Sequence, residues 1–134
     1  MSRQVILTRR EVFSSSHRLY SDELSEEENK KIYGKCVNNH GHNYVLEVSV
    51  KGVVDPKLGM FMNITELKEI MRIYVMDKLD HRNLEGVPEL KSIVTTTENL
   101  SIFIWDQLYP HLKQHLYEVK ILETENNFVI YRGE

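Results

Sequence analysis

The stretch from Gly34 to Val50 constrains the fold of this chain most strongly, and it reads GKCVNNHGHNYVLEVSV. Its second half alternates between apolar and other residues, so that one face of an extended chain carries Tyr44, Leu46, Val48 and Val50. A period of two residues is typical of a β-strand that buries one face and exposes the other. We therefore predict a strand from His42 to Val53, whose apolar face the rest of the chain has to cover.

Two histidines stand where this strand begins. His40 and His42 share the parity of Tyr44, so both imidazoles should leave the same face of the extended chain. Two residues of strand advance about 6.6 Å, and Gly41 has no Cβ to oppose a small bend between them. This geometry allows the pair to bind one metal ion. Two exposed histidines in a turn would give the same short pattern, so the pair alone does not establish a metal site.

Three other stretches have the alternation and the β-branched or aromatic content of strands. They cover Val5–Ser14, Leu116–Glu123 and Phe128–Arg132. The last two are joined by an Asn-rich turn at 125–127, which is typical of a β-hairpin. The sequence therefore predicts four strands, two near the start of the chain and two near its end.

Two stretches between these strand pairs repeat apolar residues every three or four positions, which is the spacing of an amphipathic helix. The first begins behind Asn63, a good N-cap residue, and ends near Leu79. The second runs from Glu98 to Gln114 with Thr97 as its predicted cap. The order of elements is then strand, strand, helix, helix, strand, strand. We predict an α+β fold, with a four-stranded antiparallel sheet and two helices on one of its faces.

The second face of that sheet is not uniformly polar. Val45 neighbours Leu46, and Leu122 neighbours Ile121, so adjacent residues of a strand place apolar groups on opposite faces. Such a pattern predicts that a partner chain covers the second face. A short charged helix, opened by a capping box at Ser25–Glu28 and ending near 32, should lie over the surface.

Composition bounds the class of protein. The 134 residues are enough for one domain spanning 1–134, and a net charge of -3 with a pI near 6.1 does not favour nucleic acid as a partner. The start of the chain lacks the apolar core of a signal peptide, and no apolar run is long enough to span a bilayer. A single cysteine excludes an intrachain disulfide and fits a reducing compartment. We expect a cytoplasmic protein without membrane contact.

The residues allow a catalytic metal site to be assembled. His17 follows the first predicted strand, and with His40 and His42 it would make a three-histidine zinc site with an open position, which is the catalytic pattern for zinc. Cys36 lies four residues before His40 on the loop that delivers two of these ligands. It is either a fourth ligand or a separate thiol base beside the metal.

Two further features carry acid–base or recognition chemistry. Asp80 and His81 are adjacent at a predicted helix end and could supply a second acid–base group. Glu123 is a carboxylate that completes an otherwise apolar strand face. A carboxylate accepts two parallel hydrogen bonds, so it could anchor a ring whose edge has adjacent N–H donors. Both features also have a purely structural interpretation. Asp80 and His81 could be residues of a surface loop, and Glu123 could lie at a strand end that emerges into solvent.

Several segments, distributed from near the first residue to the last, resemble one known family. They are FSSSHRLYS (13–21), LSEEENKKIYGKC (24–36), HGHNY (40–44), GMFMNITELK (59–68), LDHRNL (79–84), TTTENL (95–100), IWDQL (104–108), ETENN (123–127) and YRGE (131–134). Together they are far more specific than any one motif. On these segments the chain resembles the 6-pyruvoyltetrahydropterin synthase family.

The resemblance implies the tunnelling fold, in which three chains form a barrel and two trimers stack into a homohexamer with active sites between subunits. It implies zinc as the metal, bound by His17, His40 and His42. The family's catalytic residues correspond to Cys36, Asp80, His81 and Glu123. Its pterin-binding residues correspond to Glu123, Thr96 and Thr97.

The resemblance also implies the reaction, in which 7,8-dihydroneopterin triphosphate becomes 6-pyruvoyltetrahydropterin with loss of triphosphate. Zinc would act as a Lewis acid on the hydroxyl-bearing side chain of the substrate. Cys36 would take a proton from that side chain, His81 oriented by Asp80 would relay protons, and Glu123 would fix the pterin. Magnesium is expected to accompany the triphosphate.

One departure from the family pattern bears on the product. In the animal enzymes two more residues separate the cysteine from the HGH motif, whereas Cys36-x-x-x-His40 has the spacing of 6-carboxytetrahydropterin synthase of queuosine biosynthesis. The GKC, TTTEN and ETENN segments and the acidic insertion before GKC favour the pyruvoyl branch. The carboxy product therefore stays as an alternative. A zinc- and pterin-binding protein with little turnover is a further one.

Overall fold

The computed structural model describes residues 2–134, which form an α+β fold on one sheet of five strands. The strands are β1 (Gln4–His17), β2 (His40–Val53), β3 (Arg82–Asn83), β4 (Leu116–Leu122) and β5 (Phe128–Tyr131). Their order across the sheet is β3-β1-β2-β4-β5. The α+β class is confirmed. The predicted four-stranded antiparallel sheet is wrong, because β3 adds a fifth strand that pairs in parallel with β1. A strand of two residues is too short to give a hydropathy pattern.

The pairing of β1 with β2 brings the histidines together. The two strands are antiparallel, and their register sets His17 opposite His40 and Ser15 opposite His42. β1 continues three residues beyond the predicted end at Ser14, and β2 begins two residues before the predicted start. The extra residues are polar or glycine and have no apolar alternation, but they extend the ladder because each finds a backbone partner across it.

Two of the predicted helix caps are confirmed. Helix α1 (Glu26–Tyr33) begins with the capping box, in which the Ser25 hydroxyl accepts the Glu28 N–H at 3.1 Å and the Glu28 carboxylate accepts the Ser25 N–H at 3.0 Å. Helix α2 begins after Asn63, whose side chain accepts the Thr65 N–H at 2.9 Å. The α-helical part of α2 covers Ile64–Met71, followed by a π-helical turn, Arg72–Met76, and a last α-helical turn, Asp77–Leu79.

Helix α3 (Thr97–Leu112) begins one residue earlier than predicted. Thr96, and not Thr97, is its N-cap, since the Thr96 hydroxyl accepts the Asn99 N–H at 3.2 Å. Either threonine suits a cap by residue type, so the sequence could not separate them. The shift matters because it frees the Thr97 side chain for a contact elsewhere.

The core lies between α2, α3 and one face of the sheet. It is a single cluster of buried apolar side chains, among them Phe13, Tyr44, Leu46, Val48, Leu67, Met71, Leu100, Ile104, Leu108, Val119 and Ile121. The opposite face of the sheet carries the exposed side chains of Ile6, Val12, Phe128 and Ile130. No helix formed by residues 2–134 is both long enough and apolar enough to cross a bilayer.

Candidate metal centre and active site

Three imidazoles converge where the paired ends of β1 and β2 meet. His17 ends β1, His40 and His42 begin β2, and one ligand atom from each lies within 4.8 Å of the other two. They form the one group of this kind found among residues 2–134. His17 is fully buried, and the other two are half-buried. His40 and His42 lie on the same face of β2, as strand parity predicted. The register between β1 and β2 places His17 opposite His40.

Hydrogen bonds select the nitrogen that each ring can offer to a metal. His17 Nδ1 lies 2.8 Å from the Thr95 carbonyl oxygen, and His40 Nδ1 lies 2.7 Å from the Asn38 carbonyl oxygen. A carbonyl only accepts, so both Nδ1 atoms carry the proton and each Nε2 atom presents a lone pair. Outer hydrogen bonds of this kind are usual for histidines that bind metals.

His42 supplies the observation that points most directly to a metal. Its Nε2 atom is buried and has no hydrogen-bond partner. The Oε2 atom of Glu123 lies 4.0 Å away, which is too far for a hydrogen bond. Buried nitrogen atoms without a partner are rare in folded proteins. A divalent ion held by three imidazole nitrogens would satisfy this atom, and the donor set suits zinc.

The electrostatics of the centre favour neutral imidazoles. Burial is the largest cause and lowers the pKa of His17 and the pKa of His42, while the negative charge of Glu123 opposes the shift at both rings without reversing it. Hydrogen bonding to Thr95 acts in the opposite direction on His17 but does not reverse the shift. Only the neutral ring binds a metal, so the folded chain prepares its ligands for binding at neutral pH.

Tyr44 belongs to the centre, although the sequence predicted only a core residue. Its buried hydroxyl lies 3.4 Å from His17 Nε2, and burial raises its pKa above the ordinary value. The ring stacks on Phe13 across the sheet, with 5.0 Å between centroids. The signal was in the sequence, because Tyr44 has the same strand parity as His40 and His42.

Cys36 lies beside the centre but does not belong to the three-histidine group. It occupies a short 3-10 turn, Gly34–Val37, and is half-buried. Its carbonyl oxygen accepts the Leu19 N–H at 2.8 Å, which ties the turn to the residues after His17. Cys36 is not one of the three residues whose ligand atoms lie within 4.8 Å of one another.

Asp80 and His81 are attached to β1 by backbone hydrogen bonds. The Asp80 carboxylate accepts the Ser14 N–H at 2.9 Å, and the Ser14 carbonyl accepts the His81 N–H at 2.7 Å. His81 has a φ of +60°, which is uncommon for a residue with a side chain and is often found at functional sites. Asp80 Oδ1 lies 3.1 Å from His81 Nδ1, while the His81 side chain is 84% exposed. The pair is therefore fixed in place with the imidazole open to a ligand.

A cavity of about 440 Å³ lies between His81 and the metal centre. His42 and His81 both line it, and the three serines at 14–16 form part of its wall. The Ser14 N–H, followed by His81, holds the pKa of Asp80 below its ordinary value, so the carboxylate is ionised and can orient the imidazole. Local sequence patterns could not place these two groups together, because they are separated by the whole of α2, and only the family resemblance assigned them to one site.

Glu123 and Thr97 line a separate cavity of about 300 Å³. The Thr97 hydroxyl donates to Glu123 Oε2 at 2.8 Å. The Glu123 N–H donates to the Asn127 carbonyl at 3.1 Å, so the carboxylate is held at the start of the β4–β5 turn and not within the strand. Thr96 also lines this cavity, although its hydroxyl is used as the helix cap.

Comparison with known proteins shows the family to which the chain belongs. The family model described as 6-pyruvoyl tetrahydropterin synthase matches residues 6–134. A Dictyostelium discoideum protein named 6-pyruvoyl tetrahydrobiopterin synthase is 82% identical over 135 residues, which is 100% of each chain. The Homo sapiens protein of that name is 50% identical, over 98% of this chain and 93% of its own. The solved Caenorhabditis elegans 6-pyruvoyl tetrahydropterin synthase superposes with a TM-score of 0.94 at 42% identity, over 98% of this chain and 97% of the other. The chain belongs to the 6-pyruvoyl tetrahydropterin synthase family.

Proposed function

We propose that this protein is the lyase that converts 7,8-dihydroneopterin triphosphate to 6-pyruvoyltetrahydropterin, with elimination of triphosphate, in tetrahydrobiopterin biosynthesis. The observation that carries the proposal is the partnerless Nε2 atom of His42, which faces an open three-histidine centre. The chain around it is 82% identical to a relative named for this activity.

The metal proposed for the centre is Zn²⁺, held by His17, His40 and His42. Three neutral imidazoles with room for a further ligand are typical of catalytic zinc. Bound there, Zn²⁺ supplies the Lewis acidity that makes C–H bonds beside substrate hydroxyl groups easier to break. Mg²⁺ is proposed to accompany the triphosphate of the substrate, since oxygen-rich phosphate groups are its usual ligands.

The chain's own residues would divide the remaining chemistry. Cys36 takes a proton from the substrate side chain, and His81, oriented by the ionised Asp80, gives or relays protons as that side chain tautomerises. Glu123 binds the adjacent N–H groups of the pterin, with its orientation fixed by Thr97, and Thr96 lines the same cavity. His81 and Glu123 line different cavities, and each of these cavities is next to or near His42: His42 lines the first, and Glu123 Oε2 lies 4.0 Å from His42 Nε2, which supports this division.

A homohexamer of two stacked barrel-shaped trimers, the tunnelling fold, is proposed as the working assembly. The edge of β1 that faces away from β2 pairs with β3 only at Ser15 and Ser16, among the residues that the structure describes. The rest of that edge and the outer edge of β5 are therefore available to neighbouring copies. Apolar side chains on the outer sheet face, such as Val12 and Phe128, support burial in an assembly. The single cysteine fits the cytoplasm as its compartment.

The test is identification of the product. The zinc-loaded protein is incubated with 7,8-dihydroneopterin triphosphate and Mg²⁺, and the pterins are analysed by mass spectrometry. We expect 6-pyruvoyltetrahydropterin and free triphosphate. A 6-carboxy product with acetaldehyde would assign the chain to the queuosine branch, which the short Cys36-x-x-x-His40 spacing keeps as the alternative. Intact zinc and pterin binding without turnover would show a binding protein instead.

A further inference from the structure

The segment that joins β3 to α3 has both of its ends at the buried histidine of the metal centre. Glu85 follows β3, Thr95 precedes the α3 cap, and their side chains are hydrogen-bonded to each other at 2.7 Å. His17 lies against Thr95, with its Nδ1 atom 2.8 Å from the Thr95 carbonyl oxygen. The two ends of a surface segment thus meet where a metal ligand needs to be oriented.

We propose that Glu85 is a positioning residue for the metal centre, whose carboxylate fixes the orientation and tautomer of His17; this inference rests on the proposed metal site. One oxygen, Oε1, accepts the N–H of Arg18, the residue directly after the ligand, at 2.8 Å. The other, Oε2, accepts the Thr95 hydroxyl proton at 2.7 Å. One carboxylate therefore holds the backbone beside His17 and the residue that accepts its Nδ1–H.

The need for this support follows from the position of His17. It is the last residue of β1, so the sheet ladder fixes its backbone on one side only. Beyond it, the Arg18 N–H is bound by Glu85 and not by another strand. Thr95 is 2% exposed and His17 is fully buried, so neither the hydroxyl nor the imidazole can exchange its partner for water at low cost.

The position of Glu85 is fixed by its own backbone, and its carboxylate is free of competing ion pairs with Arg18. Its own backbone N–H donates to Asn83 Oδ1 at 3.0 Å, which closes a short turn after β3. The guanidinium of Arg18 lies over the ring of Tyr20, 4.2 Å from the centroid, and does not compete for the carboxylate. Both oxygens of Glu85 are thus used by an N–H and an O–H donor on either side of the ligand.

The experiment compares Co²⁺ binding by four full-length proteins: wild type, Glu85→Ala, Glu85→Gln and Glu89→Ala. Removal of outer partners of metal ligands typically lowers metal affinity about 10- to 100-fold, and we expect that range for Glu85→Ala. Glu85→Gln keeps an acceptor for the Arg18 N–H and a polar group at Thr95, so it should lose less. Glu89 lies on the same segment but forms an exposed ion pair with Lys78 at 2.8 Å, so Glu89→Ala should bind Co²⁺ like the wild type.

A second readout uses the metal-free proteins. Nitrogen-15 NMR of the histidine rings should show His17 protonated at Nδ1 in the wild type and in Glu89→Ala. In Glu85→Ala, where Thr95 and the Arg18 backbone lose their common partner, both tautomers should be populated. A purely structural role would lower the thermal unfolding midpoint but leave the tautomer and the Co²⁺ affinity of the folded protein unchanged.

The proposal is wrong if Glu85→Ala keeps wild-type Co²⁺ affinity, or if Glu89→Ala loses as much affinity as Glu85→Ala. Neither readout involves turnover. The proposed reaction can therefore fail in the product assay while the affinity difference persists, and the reverse can also occur. If the wild type binds no Co²⁺, the metal site is wrong and the role of Glu85 is wrong with it.

Discussion

The protonated nitrogen of each histidine decides what the metal centre can bind. Backbone carbonyls of Thr95 and Asn38 take the Nδ1–H groups of His17 and His40, which leaves the Nε2 atoms as ligands. The corresponding Nε2 atom of His42 is buried without a partner. Burial lowers the pKa of His17 and the pKa of His42, so protons compete less with a metal for these two ligands at neutral pH.

Removal of His42 tests the centre directly. We expect His42→Ala to lower Zn²⁺ affinity by more than the roughly 10- to 100-fold that loss of an outer partner costs, because a ligand itself is gone. Competition with a chromophoric chelator measures the effect. His115→Ala is the control, since that ring packs against Phe61, with 5.0 Å between ring centroids, and should leave the affinity unchanged. Equal loss in both variants would contradict the assigned site.

Cys36 is predicted to act on the substrate and not on the metal. Its thiol lies outside the three-histidine group, so Cys36→Ala should keep Zn²⁺ at wild-type affinity. Turnover should fall about 10²- to 10⁴-fold, which is the usual contribution of a positioned acid or base. Zinc content and steady-state rates measure the two effects separately. Loss of zinc in the variant would instead make Cys36 a ligand.

Asp80 gives a stability prediction with a defined pH dependence. The Ser14 N–H holds the folded-state pKa of Asp80 below its ordinary value of 3.8. A carboxyl whose pKa is depressed on folding contributes stability above its unfolded value, and that contribution is lost as the pH falls through the folded value. Wild type should therefore be more stable than Asp80→Asn to urea at neutral pH. The stability difference between wild type and Asp80→Asn should shrink progressively as the pH falls below 3.8. A stability difference that grows in acid would contradict the argument.

At the scale of elements, two helix caps could be predicted from neighbouring residues, whereas the third depended on a tertiary contact. The capping box of α1 and the Asn63 cap of α2 were predictable because a cap depends on residues within one turn of the helix. The position of the cap of α3 was not, because Thr96 and Thr97 have the same capping chemistry. Only the contact between the Thr97 hydroxyl and Glu123 distinguishes them.

The Asn63 cap allows a quantitative test of this local reasoning. Asn63→Ala should lower the free energy of unfolding by about 1 kcal/mol, because the Thr65 N–H loses its acceptor. Asn63→Gly should cost only a few tenths of a kcal/mol, since glycine is itself tolerated at an N-cap. Urea unfolding of the metal-free proteins measures both. Equal losses for the two variants would show that the side-chain hydrogen bond is not the source of the stability.

At the scale of the whole molecule, the sheet has more exposed edge and face than its own helices cover. The predicted partner on the second face corresponds to exposed apolar side chains there, which include Ile6 on the edge strand β1. The assembly itself stays a prediction. A closed ring of chains would pair both edges of each sheet with neighbouring sheets. Open edges could otherwise pair with strands of unrelated chains.

A matched pair of variants tests the assembly. Ile6 lies on the edge strand β1, and Ile73 lies on the turn Arg72–Met76 of α2, away from that sheet face; they are 52% and 43% exposed. Lysine on an edge strand opposes the addition of another strand. Light scattering coupled to size exclusion should give the mass of six chains for wild type and Ile73→Lys, and a smaller mass for Ile6→Lys. A wild-type mass of one chain would contradict the proposed homohexamer.

The sequence by itself determined what depends on near neighbours. It determined the period-two face of β2, the shared direction of His40 and His42, the apolar stripes of α2 and α3, and two of the three helix caps. Each of these follows from backbone geometry within a few residues. The full-length motif pattern added the family and, with it, the candidate residues at positions far apart in the chain.

The tertiary structure alone decided how those distant positions meet. His17 reaches His40 through strand register, and it reaches a carbonyl oxygen 78 residues away at Thr95. The strand β3 and the contacts of Glu85 with Arg18 and Thr95 were invisible in the sequence, because two paired residues and a single carboxylate have no periodic signature. Such contacts form only when the core has fixed the relative positions of the segments. The protonation state of the ligands, which depends on those contacts and on burial, is therefore a property of the fold and not of any local motif.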